Sequence, residues 1–215
     1  MTRSKPEIIE WLLNPGIIAV VRAQRPEQVL PLSEALLAGG VRAIEVTTTT
    51  PNAVEAMAQA RKKMGDRALF GVGTVLDVAT CRAALDAGAE FIVSPIVLKE
   101  LVPLAQGAGK PVMLGAYTPT EAQAVHESGA DFVKIFPAET LGPGYIKALR
   151  APLPHLRIVP TGGVEVNNAA DFLKAGCVAL GVGGSLVSSS ILQQADWPEL
   201  TRRAAAFVAA AKAVR

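Results

Sequence analysis

The chain has 215 residues, half of them hydrophobic, and its 21 basic and 19 acidic side chains leave a formal net charge of +2. The charged residues form no basic stripe and aromatic residues make up only 5%, so we exclude nucleic acid as a partner. There is no secretory signal, no run of roughly 18 apolar residues and no pattern of paired cysteines, so the sequence predicts a cytoplasmic protein without membrane contact.

The chain alternates between short apolar segments and helical patterns. A helix is predicted over residues 5–13, and eight strand-like segments follow in the order IIAVVR, AIEVTT, LFGVGT, FIVSP, VMLGA, FVKIF, RIVPTG and ALGVGG. The helical patterns that follow them cover residues 26–38, 51–64, 77–87, 97–108, 119–128, 143–149, 167–175 and 197–214.

Glycine recurs between a helical pattern and the next strand, where a left-handed helix C-cap is needed. These glycines are Gly40, Gly65, Gly88, Gly109, Gly129 and Gly176. Their usual spacing of roughly 20 to 25 residues is that of one strand plus one helix, which favours a parallel sheet. Eight such units predict an α/β fold, a (β/α)8 TIM barrel formed by residues 1–215 as a single domain, with the extra N-terminal helix covering its bottom. A doubly wound open sheet is the alternative, but Arg22 stands where its glycine-rich loop would begin.

Two charged residues stand inside predicted strands, Glu45 in the second and Lys134 in the sixth. Even-numbered strands of a barrel share a layer of inward side chains, so we expect these two residues to face each other. A buried salt bridge that fixes the fold is one interpretation. The other is catalytic: burial favours the free amine that attacks a carbonyl to form a Schiff base, and a nearby carboxylate moves protons.

Two glycine-rich motifs follow the last strands, PTGGV at 160–164 and GVGGS at 181–185. Barrels of this kind often bind phosphate at the loops after strands seven and eight, through backbone N–H groups. Together the motifs predict a phosphorylated small-molecule ligand. His126 and His155 show no metal-ligand spacing, so both are expected to face solvent.

At these residues the chain resembles the class I aldolases that cleave 2-keto-3-deoxy-6-phosphogluconate (KDPG) and 4-hydroxy-2-oxoglutarate (KHG). The shared motifs appear in the order AGGVRAIEVT, GVGTVL, FIVSP, TPTE, FVKIFPAE, VPTGGV and GVGGS. The resemblance implies a lyase that splits KDPG into pyruvate and glyceraldehyde 3-phosphate. It also implies a homotrimer of barrels that needs no metal and no other cofactor.

The resemblance also assigns site residues. Lys134 corresponds to the Schiff-base lysine and Glu45 to the general acid/base, acting through a water. Thr74 corresponds to a residue that lines the pyruvyl end of the site. The remaining substrate-binding positions, including the phosphate cradle, are Thr161, Gly162, Gly163, Gly184 and Ser185.

One position departs from the family pattern, because Thr49 stands where many members carry an arginine that holds the substrate carboxylate. Threonine cannot make arginine's bidentate, charged pair. Members with threonine here have an arginine at the end of the first strand, as this chain does, so we predict that Arg22 binds the carboxylate. Thr47 and Thr49 are predicted hydrogen-bond donors, and Tyr117 replaces a small residue of other members.

Three alternatives stay open at the level of sequence. Within the aldolases, the substrate is KHG or the galactonate epimer of KDPG, since epimers differ in one hydroxyl and a few contacts decide between them. From another class, the chain is a phosphate-binding isomerase or epimerase in which Glu45 shuttles protons and Lys134 forms no covalent adduct. The third alternative is a barrel that binds pyruvate or phosphate but catalyses no reaction.

Overall fold

Eight short, fully buried strands form one parallel sheet in the computed structural model, which describes residues 3–214. The strands are β1 (Ile17–Val21), β2 (Ala43–Thr47), β3 (Leu69–Gly73), β4 (Phe91–Val93), β5 (Val112–Ala116), β6 (Phe132–Ile135), β7 (Ile158–Pro160) and β8 (Leu180–Val182). Each strand pairs with its neighbours in sequence, β8 pairs with β1, and a bridge between Thr161 and Gly181 joins β7 to β8. The predicted (β/α)8 barrel is confirmed.

Helices surround the barrel at positions close to those predicted. They are α1 (Lys5–Leu13), α2 (Val29–Ala38), α3 (Ala53–Met64), α4 (Val78–Asp86), α5 (Leu101–Gly107), α6 (Pro119–Glu127), α7 (Gly142–Arg150), α8 (Val166–Lys174), α9 (Ser189–Gln194) and α10 (Trp197–Lys212). Short 3-10 helices span Pro26–Gln28 and Gly65–Arg67. In the described part of the chain, no helix is long and apolar enough to cross a membrane.

Two helical predictions need correction. The helix expected from residue 97 begins only at Leu101, because the chain bends at Pro95 and Ile96 and the Ile96 carbonyl accepts a hydrogen bond from Gly115 N–H on β5 (3.1 Å). The short helix α9 was not predicted. Its serine-rich start is typical of a turn, yet Ser188 caps it by accepting a hydrogen bond from Ile191 N–H.

The six predicted glycine caps all have positive φ, between 58° and 102°. Four of them share one hydrogen bond, from the N–H after the glycine to the carbonyl five residues earlier, which is typical of the Schellman motif. The four bonds join Val41 to Leu36, Ala89 to Ala84, Lys110 to Ala105 and Cys177 to Phe172. The same capping motif therefore ends α2, α4, α5 and α8 and leads the chain into the next strand.

The apolar core has two parts. The larger part lies between the strands and the outer helices. The smaller part fills the lower half of the barrel, and Ile8 and Leu12 of α1 pack onto it from below. Ion pairs hold the segment around α1 at this end, Arg3 to Glu90 and Lys5 to Asp131, each at 2.8 Å. As predicted, α1 covers the barrel bottom, which leaves the C-terminal strand ends for a site.

Candidate active site

Glu45 on β2 and Lys134 on β6 face each other across the barrel, as the sequence predicts. Both are almost fully buried, and Lys134 Nζ lies 3.8 Å from Glu45 Oε1. That distance is an ion pair without a direct hydrogen bond, and Oε1 has no hydrogen-bond partner among the described residues. Lys134 Nζ also lies 5.3 Å from the centre of the Phe136 ring. An amine and a carboxylate with unused bonding capacity are therefore held together out of water.

Glycines on neighbouring strands stand beside this pair. Gly71 on β3 stands beside Glu45 in the sheet, and Gly115 on β5 stands beside Lys134. A Cβ on Gly73 would overlap the Glu45 carboxylate, and one on Gly115 would overlap the backbone of Pro95. The position of the Glu45 carboxylate therefore depends on the absence of a side chain at Gly73.

The threonines after β2 mostly bond within the protein. Thr47 Oγ1 donates to Val21 O (3.0 Å), so the proton shared between Thr47 and Thr49 at 2.7 Å comes from Thr49. Thr48 Oγ1 donates to Thr74 O (2.8 Å), and Thr74 has a left-handed φ of 59°. That conformation is costly for a β-branched residue and is typical of functional sites. The hydroxyl protons of Thr47 and Thr49 thus point at protein acceptors in this structure.

A cleft of about 660 Å³ opens at the C-terminal ends of β1, β6, β7 and β8. Six of the predicted substrate-binding residues line it, namely Arg22, Thr161, Gly162, Gly163, Gly184 and Ser185. Lys134 and Glu45 do not line it, but Phe136 does, and the centre of its ring lies 5.3 Å from Lys134 Nζ. Thr47, Thr49 and Thr74 do not line this cleft. The structure therefore gathers the predicted phosphate residues and Arg22 in one place.

Hydrogen bonds fix the two glycine loops in the cleft. Ser185 Oγ donates to Val164 O (2.6 Å), which ties the loop after β8 to the loop after β7. Asn168 Nδ2 donates to Gly163 O (2.8 Å). Within residues 3–214, the backbone N–H groups of Gly163, Gly184 and Ser185 donate to no other group. Such fixed and unpaired N–H groups are suited to an anion such as a phosphate.

Arg22 lies between the two predicted halves of the substrate site. The β1 pairing runs to Val21 opposite Val46 on β2, and to Ala19 opposite Val182 on β8. Arg22 is the next residue after β1, whose two neighbours are β2, with Thr47 at its end, and β8, which leads into Gly184 and Ser185. The exposed guanidinium forms no ion pair or hydrogen bond with the described residues. The guanidinium is therefore available to an anionic group of a ligand in the cleft.

Sequence reasoning missed several residues of the cleft. Glu139 and Glu165 contribute carboxylates to its wall, and Ser188 and Ser189 contribute the start of α9. Glu139 lies in the FPAE motif, which was read as a family signature without a role for the glutamate. Tyr117 does not line the cleft; its ring is exposed at the rim and its hydroxyl lies 3.0 Å from Thr140 Oγ1.

Few other side chains among the described residues are suited to catalysis. Burial raises the pKa of the Cys81 thiol to about 11 and that of the Cys177 thiol to about 12, so neither is a nucleophilic thiolate near neutral pH. His126 and His155 are exposed, as predicted, with ring centres 4.5 Å apart. The described residues contain no group of three or more side chains placed to hold a metal ion. The buried amine and carboxylate remain the strongest candidates for chemistry.

Known proteins share this fold and these motifs. Residues 8–203 match the model of the aldolase family described as KDPG and KHG aldolase. The chain belongs to this family. Its relatives are named aldolases, which are lyases, so the family and the enzyme class predicted from the sequence are confirmed.

Three similar proteins carry two different substrate names between them. The chain is 39% identical over 196 residues to the 2-dehydro-3-deoxy-phosphogluconate aldolase of Treponema pallidum, covering 90% of this chain and 92% of that protein. It is 34% identical over 203 residues to the 2-dehydro-3-deoxy-6-phosphogalactonate aldolase of Escherichia coli, covering 94% and 97%. A KDPG aldolase structure from Legionella pneumophila, with pyruvate captured at low pH as a covalent carbinolamine, aligns with a TM-score of 0.83 at 29% identity and covers 89% and 93%. Family membership therefore leaves the preferred substrate undecided.

Proposed function

We propose that this aldolase cleaves KDPG to pyruvate and glyceraldehyde 3-phosphate through a Schiff base on Lys134. The observation that carries the proposal is the buried amine 3.8 Å from a carboxylate and 5.3 Å from the ring centre of Phe136, which lines a cleft whose loops offer unpaired N–H groups. The carbinolamine captured in the Legionella pneumophila relative is the adduct that an amine forms with a ketone before water is lost, which supports the same chemistry here.

The reaction begins when the Lys134 amine adds to the C2 ketone of the substrate. Loss of water gives an iminium ion, which can accept the electron pair of the bond that breaks. Glu45, whose carboxylate lies 3.8 Å from the Lys134 amine, takes the proton of the C4 hydroxyl through one water. The C3–C4 bond then breaks and glyceraldehyde 3-phosphate leaves. The pyruvate enamine is protonated at C3, and hydrolysis of the resulting iminium frees pyruvate and the amine.

The substrate is held at both ends in this proposal. The backbone N–H groups of the two glycine loops bind the phosphate, with Thr161 and Ser185 beside them. Arg22 binds the keto-acid carboxylate, and Thr47, Thr49 and Thr74 form the pyruvyl end. The proposed reaction requires neither a metal nor another cofactor, so activity is expected to persist after dialysis against a chelator.

The galactonate epimer is a second candidate substrate. The Escherichia coli relative named for that epimer is as similar in length and nearly as similar in sequence as the relatives named for KDPG. Measuring kcat/KM for both epimers and for KHG, which lacks the phosphate, separates the candidates. A preference for KDPG of at least about tenfold supports the proposal, and the reverse preference replaces it with the galactonate activity.

Borohydride trapping tests the covalent step directly. The protein is incubated with pyruvate, reduced and digested, and the modified peptide is identified by mass spectrometry. We expect a pyruvyl adduct on the peptide that contains Lys134, and none in Lys134→Ala. Lys147→Ala is the matched control, because Lys147 is an exposed lysine on α7 and its loss should leave the adduct intact. A folded wild-type protein without an adduct would rule out the Schiff-base mechanism and favour the proton-shuttling isomerase.

A further inference from the structure

Two threonine hydroxyls bond to the backbone on either side of Arg22. Thr47 Oγ1 donates to Val21 O (3.0 Å), and Thr50 Oγ1 accepts from Ala23 N–H (3.0 Å). Both threonines belong to the same tight turn after β2, which is closed by Thr50 N–H donating to Thr47 O (2.9 Å). The backbone that carries Arg22 is thus attached to β2 both before and after that residue.

The position of Arg22 depends on these backbone bonds, since its side chain has no other support. Thr47 and Thr50 are buried, whereas Arg22 is exposed and its guanidinium has no partner among the described residues. For a long, unpaired side chain, the backbone sets the direction of the Cα–Cβ bond and the rotamers that are allowed, and therefore the space that the guanidinium can reach. Loss of the Thr50 hydroxyl would leave the Ala23 N–H buried without a partner, and the end of β1 would shift to satisfy it.

The loop that follows Arg22 has a second, independent anchor. Gln28 Oε1 accepts from Gln24 N–H (3.0 Å) and Arg25 N–H (3.1 Å), and Gln28 Nε2 donates to Leu192 O (2.7 Å). Because Gln28 is buried and holds the next two N–H groups, removal of the Thr50 hydroxyl should displace the end of β1 without unfolding the loop.

We propose that Thr50 is a positioning residue for Arg22, acting through the Ala23 N–H to aim the guanidinium into the substrate cleft. This inference rests on the proposed function, because it assigns to Arg22 the anionic end of the keto-acid substrate. Thr50 itself touches neither the cleft nor the charged pair. It therefore affects substrate binding and leaves the bond-breaking step unchanged.

The test is Thr50→Val, which keeps the shape of the side chain and removes its hydroxyl. We expect KM for KDPG to rise at least about fivefold, since a small displacement of a binding group is costly, while kcat stays within about twofold. Thr50→Ser restores the hydroxyl and should restore KM. In an Arg22→Ala background, Thr50→Val should raise KM no further, because the residue it positions is absent.

The matched control is Thr201→Val. It also removes a hydroxyl that bonds to the backbone, here Thr201 Oγ1 to Ala35 O (3.0 Å) between α10 and α2, but away from the cleft, so KM should not change. An unchanged KM in Thr50→Val, or an equal further rise in the Arg22→Ala background, would overturn the inference. Borohydride trapping of all variants keeps the two proposals apart: if wild type forms the adduct and Thr50→Val has normal KM, only the positioning role fails.

Discussion

A lysine in the middle of a buried strand has to be paired or used in chemistry, because an isolated charge is costly to remove from water. Lys134 has a partner in Glu45, but at 3.8 Å and with an unbonded carboxylate oxygen the pair is poorly made for stability alone. The same residues were identified from sequence because charge inside an apolar strand stands out. The bonds of the threonine run were not predictable, since four consecutive identical residues give no pattern to distinguish their partners.

Arg22 carries the first prediction at this scale. Arg22→Ala should raise KM for KDPG at least about tenfold, a change of about 1.4 kcal/mol, because no other arginine among residues 3–214 lines the cleft. Arg25→Ala is the matched control, since Arg25 is also exposed and near the end of β1 but lies outside the cleft. An unchanged KM in Arg22→Ala would remove this residue from the site.

The same variant identifies which end of the substrate Arg22 binds. If it binds the carboxylate, as proposed, KM should rise by a similar factor for KDPG and for KHG, which has no phosphate. A rise for KDPG alone would reassign Arg22 to the phosphate, beside Gly184 and Ser185.

At the scale of elements, the residues at the inward positions of the short strands determine which side chains fit inside the barrel. The sequence predicted all eight strands because each is a short run of apolar and β-branched residues that is followed by a polar or proline-containing turn. It did not predict α9, since six residues starting with serine are too few to show a helical period, nor the late start of α5, which depends on a hydrogen bond to β5.

The prediction at this scale concerns Gly73 on β3. In Gly73→Ala the new Cβ would overlap the Glu45 carboxylate and displace it from Lys134. We expect kcat to fall at least about 100-fold, the usual contribution of a general acid/base, with far-UV circular dichroism unchanged. The control is Gly107→Ala at the end of α5, where a Cβ would meet nothing within 4 Å, so full activity is expected. A near-normal kcat in Gly73→Ala would mean that catalysis does not require the Glu45 carboxylate at its present position beside Lys134.

At the scale of the whole molecule, exposed apolar side chains lie on three consecutive loops of the catalytic face. They are Leu76 after β3, Ile96 after β4 and Tyr117 after β5, exposed by 52%, 49% and 41%. Neighbouring strands bring these loops to one side of the barrel. A patch of this kind is typical of a surface that is covered by another protein.

The homotrimer implied by the family resemblance is therefore a prediction with a candidate contact surface. Light scattering after size exclusion should give about three times the 22.4 kDa mass of one chain. Leu76→Glu with Ile96→Glu should lower that mass if these loops form the contact. Val166→Glu is the control, because Val166 is also exposed, by 41%, but follows β7. A wild-type mass of one chain would contradict the trimer.

The sequence by itself determined the barrel, its bottom helix and the residues that face its centre. Those features follow from local periodicity, from glycine caps and from the cost of burying a charge, all of which are written in neighbouring residues. The tertiary structure decided the 3.8 Å separation of Glu45 and Lys134, the grouping of Arg22 with the glycine loops, and the bonds of Thr47, Thr48 and Thr50. These distances and contacts depend on how strands far apart in sequence pair with each other and on where single hydroxyl protons point. No local sequence pattern specifies either of them.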